Sequence, residues 1–456
     1  MKRKITFNGI ATTILLTAAL ASNAQEKPKS FGKYPLTPNE NGVVNCASRE
    51  YEFIRRDNNP KLPTEAQFEE WMAKKLEERK GRASTQKSGN EIMIIPVVVH
   101  VIHGSSEIEG FGRNLSVAQI QSQIDVLNED YRKMEGTNGN DPNLEDGVDT
   151  EIQFCLAKID PEGNITNGID RQPSNVAAYT SQDDIDLLKS ATIWDPEKYL
   201  NIWTVAMSGS ISNLLGYAQF PDYNIPGLQQ GGMSTDAATD GVVINYRNFG
   251  SAQKVSGLNG NAPYNLGRTT THEIGHFLGL RHIWGDQTNC QGTDYCNDTP
   301  VQINQTTGCP GEGTDTCPQA GFDLYQDYMD YSNDDCMSVF TANQRDRMHV
   351  ILANAPRRAS LLTSGVCGIL STPDRELLLG TRVYPNPTQN VLNITVENGE
   401  LPDTYTIYNS IGQLIANTKV TSDANLTVDT SSYSNGIYFI KIDKGAETKT
   451  IKFIKN

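Results

Sequence analysis

The chain has 456 residues, enough for several domains, and its 37% hydrophobic and 20% charged content excludes wholesale disorder. Lys and Arg number 39 against 54 Asp and Glu, a formal charge of −15. No Lys/Arg cluster overrules that balance, so nucleic acid is excluded as a natural partner.

The first stretch is MKRKITFNGIATTILLTAALASNAQ. Lys2, Arg3 and Lys4 form a basic start, Ile10 to Ala21 an apolar core, and Ser22-Asn23-Ala24 a small-residue cleavage site. This is a signal peptide over 1–24. A membrane anchor would need about 20 apolar residues, and Thr12, Thr13 and Thr17 interrupt this shorter run. The first cysteine is Cys46, away from the cut, which argues against a lipid-modified anchor. No other long apolar run follows, so the mature chain is expected to have no transmembrane segment. Export to an oxidising space accounts for the 8 cysteines as mostly disulfide-bonded, five of them between Cys290 and Cys336.

Residues 25–90 are polar and have the texture of a removable pro-segment. Within them, LPTEAQFEEWMAKKLEERK predicts a helix: Thr64 and Gln67 fit a capping box, and Phe68, Met72 and Leu76 share one face. After the small, polar GRASTQKSGN, the run IMIIPVVVHVIHG opens a core as a buried strand. Helical spacing in LSVAQIQSQIDVLNEDYRKM and strand patterns in YLNIWTVAM and DGVVINY mark residues 91–368 as one α+β domain.

The stretch THEIGHFLGLRHIWGD, Thr271 to Asp286, holds three of the chain's 6 histidines. On a helix, His272 and His276 are four apart and project from one face, so both imidazoles reach a single ion. Gly279 ends the helix in a backbone conformation other residues avoid, and His282 returns to the same ion. Three neutral nitrogens leave a fourth tetrahedral position open, as catalytic zinc sites do. Glu273 stands beside that position as the general base for the attack of water on a peptide carbonyl. The full H-E-x-x-H-x-x-G-x-x-H pattern arises by chance on the order of 10⁻⁸ per starting position, so a core that merely contains histidines is disfavoured. His100, His103 and His349 fit ordinary packing or solvent contact.

The extended motif, with DYMDYSNDDCM downstream, resembles the metzincin clan and in particular its pappalysin family of zinc endopeptidases. GRTTTHEIGHFLGLRHIWGD, DYCNDTPVQ and CMSVFTANQRDRM carry the likeness, over about Ile95 to Arg347. The resemblance implies a metzincin-like domain of two subdomains around a zinc cleft. It implies that Met329 belongs to a turn beneath the metal, against a plain core methionine. Tyr331 resembles the family's tyrosine near the zinc, an oxyanion donor, against an unspecialised tyrosine. Asp335 resembles the acid of a specificity pocket that takes Arg or Lys at P1′, where a carboxylate pairs with a cation; solvated loop charges at Asp334 and Asp335 compete.

Two disulfides of equal span, Cys290–Cys317 and Cys309–Cys336, match the family, which leaves Cys155, Cys296 and Cys367 unassigned. Asp294, Asn297 and Thr299 in DYCNDTP resemble a calcium loop of hard oxygen ligands, with an Asx-type turn as the competing reading. Cys46, in VVNCASRE, resembles the pro-segment cysteine that binds zinc in some pappalysin zymogens; a Cys46–Cys367 disulfide competes. With arginine preferred at P1′, self-cleavage before Arg79 or Arg82 would lift the block.

Residues 369–380 read as a linker. From 381 to 456 short alternating strands predict a small all-β, immunoglobulin-like sandwich. YPNP, IYNSIGQ, NGIYFIKI and the final KFIKN resemble the sorting domain of type IX secretion, with a carbohydrate-binding sandwich as the rival. The resemblance implies export through the periplasm of a gram-negative bacterium, with the secretion machinery and protein or peptide substrates as partners. The expected whole is a secreted or cell-surface zinc endopeptidase made as a latent precursor. A catalytically silent zinc-binding adhesion protein is the alternative, one that would tend to lose Glu273.

Overall fold

The structure, a computed structural model, describes residues 28–83, 92–368 and 381–456. Short stretches at 141–146, 222–224, 229–234, 319–320, 396–400 and 445–446, and residues 259, 261, 312 and 411, are not among them. The expected signal peptide and the 369–380 linker lie outside the described residues. The chain divides into two units, one ending at Ile369 and one beginning at Leu370.

The first unit is built on a seven-stranded sheet. Its strands are β3 (Val44–Cys46), β4 (Met93–Gly104), β5 (Ile152–Leu156), β6 (Ile169–Ser174), β7 (Leu200–Val205), β8 (Leu214–Ala218) and β9 (Val242–Asn245). They run in the order β3-β8-β9-β7-β4-β5, with β6 also on β4; only the β8–β9 pairing is antiparallel. β4 is central because its near-continuous β-branched run can be buried on both faces. Ile95, Val97, Val99 and Val101 face one core, with helices α3 (Val117–Tyr131) and α5 (Arg268–Phe277). Ile102 faces the other, with Trp203, Val205 and Tyr217.

That second face is closed largely by residues from the 25–90 stretch. Phe31 of β1 (Ser30–Phe31), paired with β2 (Tyr34–Pro35), and Tyr51 and Ile54 of α1 (Ser48–Asn58) pack there with Leu36 and Val44. Helix α4 (Gln182–Thr192) adds Ile185. The predicted helix is α2 (Glu65–Ala83); Thr64 and Gln67 exchange the two capping-box bonds. Phe68 and Met72 are fully buried against Phe220, Val350 and Ile351. Helix α6 (Ala342–Asn354) supplies Val350 and Ile351, and α7 (Pro356–Leu361) follows it. The polar texture of 25–90 gave no sign of β3 and α1, because their apolar residues are few and each is matched to a surface elsewhere in the chain.

Cys155 is bonded to Cys367, Cys290 to Cys317 and Cys309 to Cys336, so the competing Cys46–Cys367 pairing is absent. Cys46 and Cys296 are free and buried. The last two bridges pin the largely irregular stretch between α5 and α6.

The second unit holds a three-stranded sheet, β10 (Arg382–Tyr384), β11 (Val391–Thr395) and β14 (Thr427–Asp429). A four-stranded sheet comprises β12 (Thr404–Asn409), β13 (Leu414–Lys419), β15 (Gly436–Lys444) and β16 (Glu447–Lys455). Leu392, Ile394, Ile407, Val428, Ile440, Ile442 and Phe453 share its core. Tyr405 and Tyr438 are buried in that core as well, so neither is exposed to stack on a sugar as the rival carbohydrate-binding reading would need.

Candidate functional site

Helix α5 is preceded by Gly267 at its N-cap, whose φ of 96° suits glycine, and carries a Thr269-Thr270-Thr271 run of poor helix propensity. Tertiary bonds override the propensity: Thr271 Oγ1 donates to Asp130 Oδ2 at 2.7 Å, and Arg268 pairs with the same carboxylate at 2.9 Å. The helix ends in a turn at Gly279, φ 86°, where a Cβ would lie 2.7 Å from Ile351 Cγ1. The chain then swings back, and His282 meets His272 and His276.

The three Nε2 atoms converge, with His276 Nε2 3.1 Å from that of His272 and 3.0 Å from that of His282. Each Nδ1 has an anchor: Tyr328 O at 2.7 Å for His272, Leu280 O at 2.9 Å for His276 and Asp286 Oδ1 at 2.6 Å for His282. These acceptors place the ring proton on Nδ1 and leave a lone pair on every Nε2. Burial keeps the rings neutral, moving His272 down to about 4 and His276 and His282 well below the usual histidine range. Three lone pairs facing one another at this distance repel unless a cation lies among them. Nitrogens around a tetrahedral zinc, with bonds of about 2.0–2.1 Å, stand about 3.3 Å apart. The residues therefore fit zinc.

Cys46 joins this cluster; its Sγ and the three imidazole nitrogens all lie within 4.8 Å of one another. β3, the edge strand, brings it there by pairing parallel with β8, Cys46 opposite Gly216. Its thiol lies 3.3 Å from Glu273 Oε2, and burial followed by the Glu273 charge pushes it well above the usual thiol range. A bound metal would reverse that preference and favour the thiolate.

Glu273 is fully buried between α5 and β8. Ser48 Oγ donates to its Oε2 at 2.7 Å and accepts from Ala218 N at 2.8 Å. Oε1 is buried without a hydrogen-bond partner. Burial pushes Glu273 up to about 8, opposed by the Ser48 and Cys46 bonds. Ser48 escaped sequence reasoning because a serine two residues after a cysteine carries no signal without the fold. Asp286 ends the quoted motif and was visible as a residue but not as the partner of His282.

Met329 is fully buried under α5, where any side chain at Gly275 would overlap its Sδ. Tyr331 OH lies 3.1 Å from His282 Nε2, and burial, then the Cys46 and Glu50 charges, keep it protonated as a donor. A small cavity beside His272 is lined by Asn45, Tyr264, Arg268, Asp330, Tyr331, Ser332 and Asp334. Asp335 is not among its walls: it is exposed, 3.4 Å from Cys309 Sγ. Asp334 is the buried acid there, accepting from Leu266 N at 2.7 Å and Arg268 N at 3.4 Å; burial pushes it up to about 6.

Asp294 and Thr299 meet in a turn, Asp294 Oδ1 accepting from Cys296 N at 3.0 Å and Thr299 Oγ1 at 2.8 Å. Asp294 Oδ2 is buried without a partner, while Asn297 is exposed with its N–H towards Asn343 Oδ1. Arg79 lies inside α2, bonded to His349, rather than in an extended segment. Among the described residues, no helix is long and apolar enough to cross a membrane.

Residues 180–353 match the family model described as Pregnancy-associated plasma protein-A, and residues 382–456 match the Secretion system C-terminal sorting domain. An extracellular metalloprotease of Colletotrichum graminicola is 35% identical over 293 residues, 63% of this chain and 86% of that protein. One from Arthroderma benhamiae is 36% identical over 236 residues, 51% of this chain; the match spans 64% of that protein, a little under two thirds. Among solved structures, mirolysin in complex with compound 9 is 38% identical, with a TM-score of 0.52 over 62% of this chain and 100% of that one. A promirolysin mutant of Tannerella forsythia is 35% identical, with a TM-score of 0.53 over 70% of this chain and 97% of that one.

Proposed function

Because this chain belongs to the pappalysin family of metallopeptidases, that of Pregnancy-associated plasma protein-A, we propose that it is a secreted zinc-dependent endopeptidase made as a latent zymogen. The observation that carries the reading is the convergence of the His272, His276 and His282 Nε2 atoms, each ring anchored through Nδ1, beside the buried Glu273. Zinc, when held by these three nitrogens, supplies Lewis acidity and an acidified water. Glu273 takes the proton of the attacking water and hands it to the leaving amine. Tyr331 donates a hydrogen bond from its hydroxyl to the oxyanion that develops at the carbonyl. An extended substrate takes the edge of β8 that β3 now covers.

Latency rests on the strand that carries Cys46: its thiol fills the position among the histidines, and Ser48 takes the carboxylate that would act on water. A preference for Arg or Lys at P1′ draws on the acids at Asp334 and Asp335, one in the cavity wall and one beyond it. Calcium at the Asp294–Thr299 turn is part of the same reading, supported by the buried, unpartnered Oδ2 of Asp294. The C-terminal unit directs export by the type IX route to the cell surface or medium.

The test is cleavage-site profiling on a denatured proteome with the processed protein, its Glu273→Ala variant and a chelator-treated sample. Cuts that vanish in both controls are expected. No cuts after the pro-segment is removed would overturn the reading in favour of the silent binding protein.

A further inference from the structure

Arg281 lies inside the zinc-binding motif, one residue before His282, yet its carboxylate partners belong to the pro-segment. Its Nη1 donates to Glu52 Oε2 at 3.3 Å and its Nε to Glu69 Oε1 at 2.6 Å. Arg347 of α6 behaves alike, forking onto Glu69 at 2.8 and 3.1 Å. Among the described residues, no carboxylate outside the pro-segment bonds to either guanidinium. What holds Arg281 from the catalytic side is the ring of Phe220, 4.6 Å away, which fixes its direction without neutralising it.

A buried cation stripped of its carboxylates must find new ones or be solvated. Its position determines which it meets. Arg281 lines one small pocket with His276, His282, Phe220 and Asp286, and the pro-segment contributes Ser48, Arg49 and Glu52 to the same walls. Asn45, on the other side of Cys46, lines the cavity of Asp334 and His272. The pro-segment thus crosses the zinc centre and delivers an acid to Arg281 on the far side from that cavity. Ser48 to Glu52 is about 6 Å of helix at about 1.5 Å per residue, which an extended peptide covers in about two residues. The other charged side chain that the catalytic side gives this pocket, Asp286, is tied to His282 Nδ1 and carries the pro-segment's Arg49 at 2.9 Å.

We propose that in the processed enzyme Arg281, backed by Arg347, forms a subsite for the carboxylate of a Glu or Asp side chain two to four residues N-terminal to the scissile bond. The pro-segment occupies that subsite in advance with Glu52 and Glu69. This rests on the peptidase reading and on assigning the cavity beside Asn45 to P1′. A guanidinium can offer a carboxylate two parallel bonds, which an amide or a cation cannot accept equally.

The experiment compares fluorogenic peptides that share one P1′ Arg and carry Glu, Gln or Lys at P2, P3 or P4. At one position the wild-type processed enzyme is expected to favour Glu over Lys by about tenfold in kcat/KM, carried mainly by KM. That ratio falls to near one in Arg281→Gln and inverts in Arg281→Glu. Equal rates for Glu and Lys at all three positions, or a preference untouched in Arg281→Gln, would overturn the subsite. Should Arg281→Gln fail to mature, the wild type decides: its preference must shrink as salt rises from about 0.05 to about 0.5 M, and a salt-independent preference overturns the proposal. If no peptide is cut at all, the peptidase reading has failed. The affinities of the Glu and Lys peptides for Glu273→Ala protein, processed in trans by trypsin, then still decide the subsite.

Discussion

The hydroxyl of Ser48 donates to Glu273 Oε2 across 2.7 Å while accepting the N–H of Ala218. The proposed pro-segment therefore contacts the proposed base as well as the metal position, through two residues separated only by Ala47. Cys46→Ala is expected to leave substantial latency, because Ser48 still occupies the Glu273 carboxylate and β3 still covers β8. Ser48→Ala alone should raise basal cleavage only a few-fold, and the double variant should approach the processed enzyme. The check is peptide hydrolysis by each uncut precursor, with an equal rate for Cys46→Ala and the double variant counting against Ser48.

His282 depends on Asp286 for the orientation of its ring, through the 2.6 Å bond at Nδ1. Asp286→Asn keeps the shape and removes the charge that makes the imidazole a stronger ligand. Metal affinity is expected to fall about 10–100-fold, the usual cost of losing such a partner. Chelator competition on the processed protein measures this without reference to activity. An unchanged affinity would mean that the anchor at Nδ1 does not tune the site.

Acidification is expected to loosen the pro-segment at α2. His349 donates from Nε2 to Thr150 O and accepts Arg79 Nη2 at Nδ1, so it must be neutral for α2 to dock as observed. Burial, with Arg79 and Arg345 adding to it and Asp346 opposing, moves His349 down to about 4. A histidine lowered from about 6.5 gives stability that is complete above the higher value and is lost as pH falls towards the lower one. Protein nicked within residues 84–90 should therefore retain its pro-segment on gel filtration at about pH 7.5 and lose it progressively below about pH 6. His349→Gln should flatten this dependence.

The motif around His272 was legible because its chemistry is local: a four-residue helical spacing, a glycine turn and a third histidine fix the geometry within eleven residues. The central strand was legible for a similar reason, since burial on both faces leaves an unbroken apolar run. Ser48, Glu52 and Glu69 were not, because each acts on a residue more than 200 positions away, and a polar side chain says nothing of its partner. Asp334 and Asp335 are neighbours that a one-dimensional pattern cannot separate. Only the turn at 334–336 buries one and exposes the other.

Gly279 tests the turn that returns His282 to the cluster. At φ 86°, and with Ile351 Cγ1 2.7 Å from where a Cβ would stand, alanine meets both backbone strain and a clash. Gly279→Ala is expected to cost about 1–3 kcal/mol and to weaken metal binding more than a surface substitution of equal cost. Thermal unfolding with and without zinc separates the two effects. A loss of stability that zinc reverses in full would show the turn intact.

The two acids of the downstream loop make opposite predictions. Asp334 is buried and holds the N–H groups of Leu266 and Arg268 at the start of α5, so its loss undercuts the helix that carries His272. Asp334→Asn keeps an oxygen for both bonds, which Oδ2 alone accepts, but removes the buried charge beside Arg268; it is expected to cost stability, about 1–3 kcal/mol, along with activity on every substrate. Asp335 is exposed and bonds to no backbone group in the cavity wall, so Asp335→Asn should leave stability unchanged. If its charge attracts a cationic P1′ side chain, that variant lowers kcat/KM for Arg and Lys peptides about tenfold while sparing neutral ones. Selectivity that survives in Asp335→Asn would leave Asp334, already lining the cavity beside His272, as the acid a guanidinium reaches.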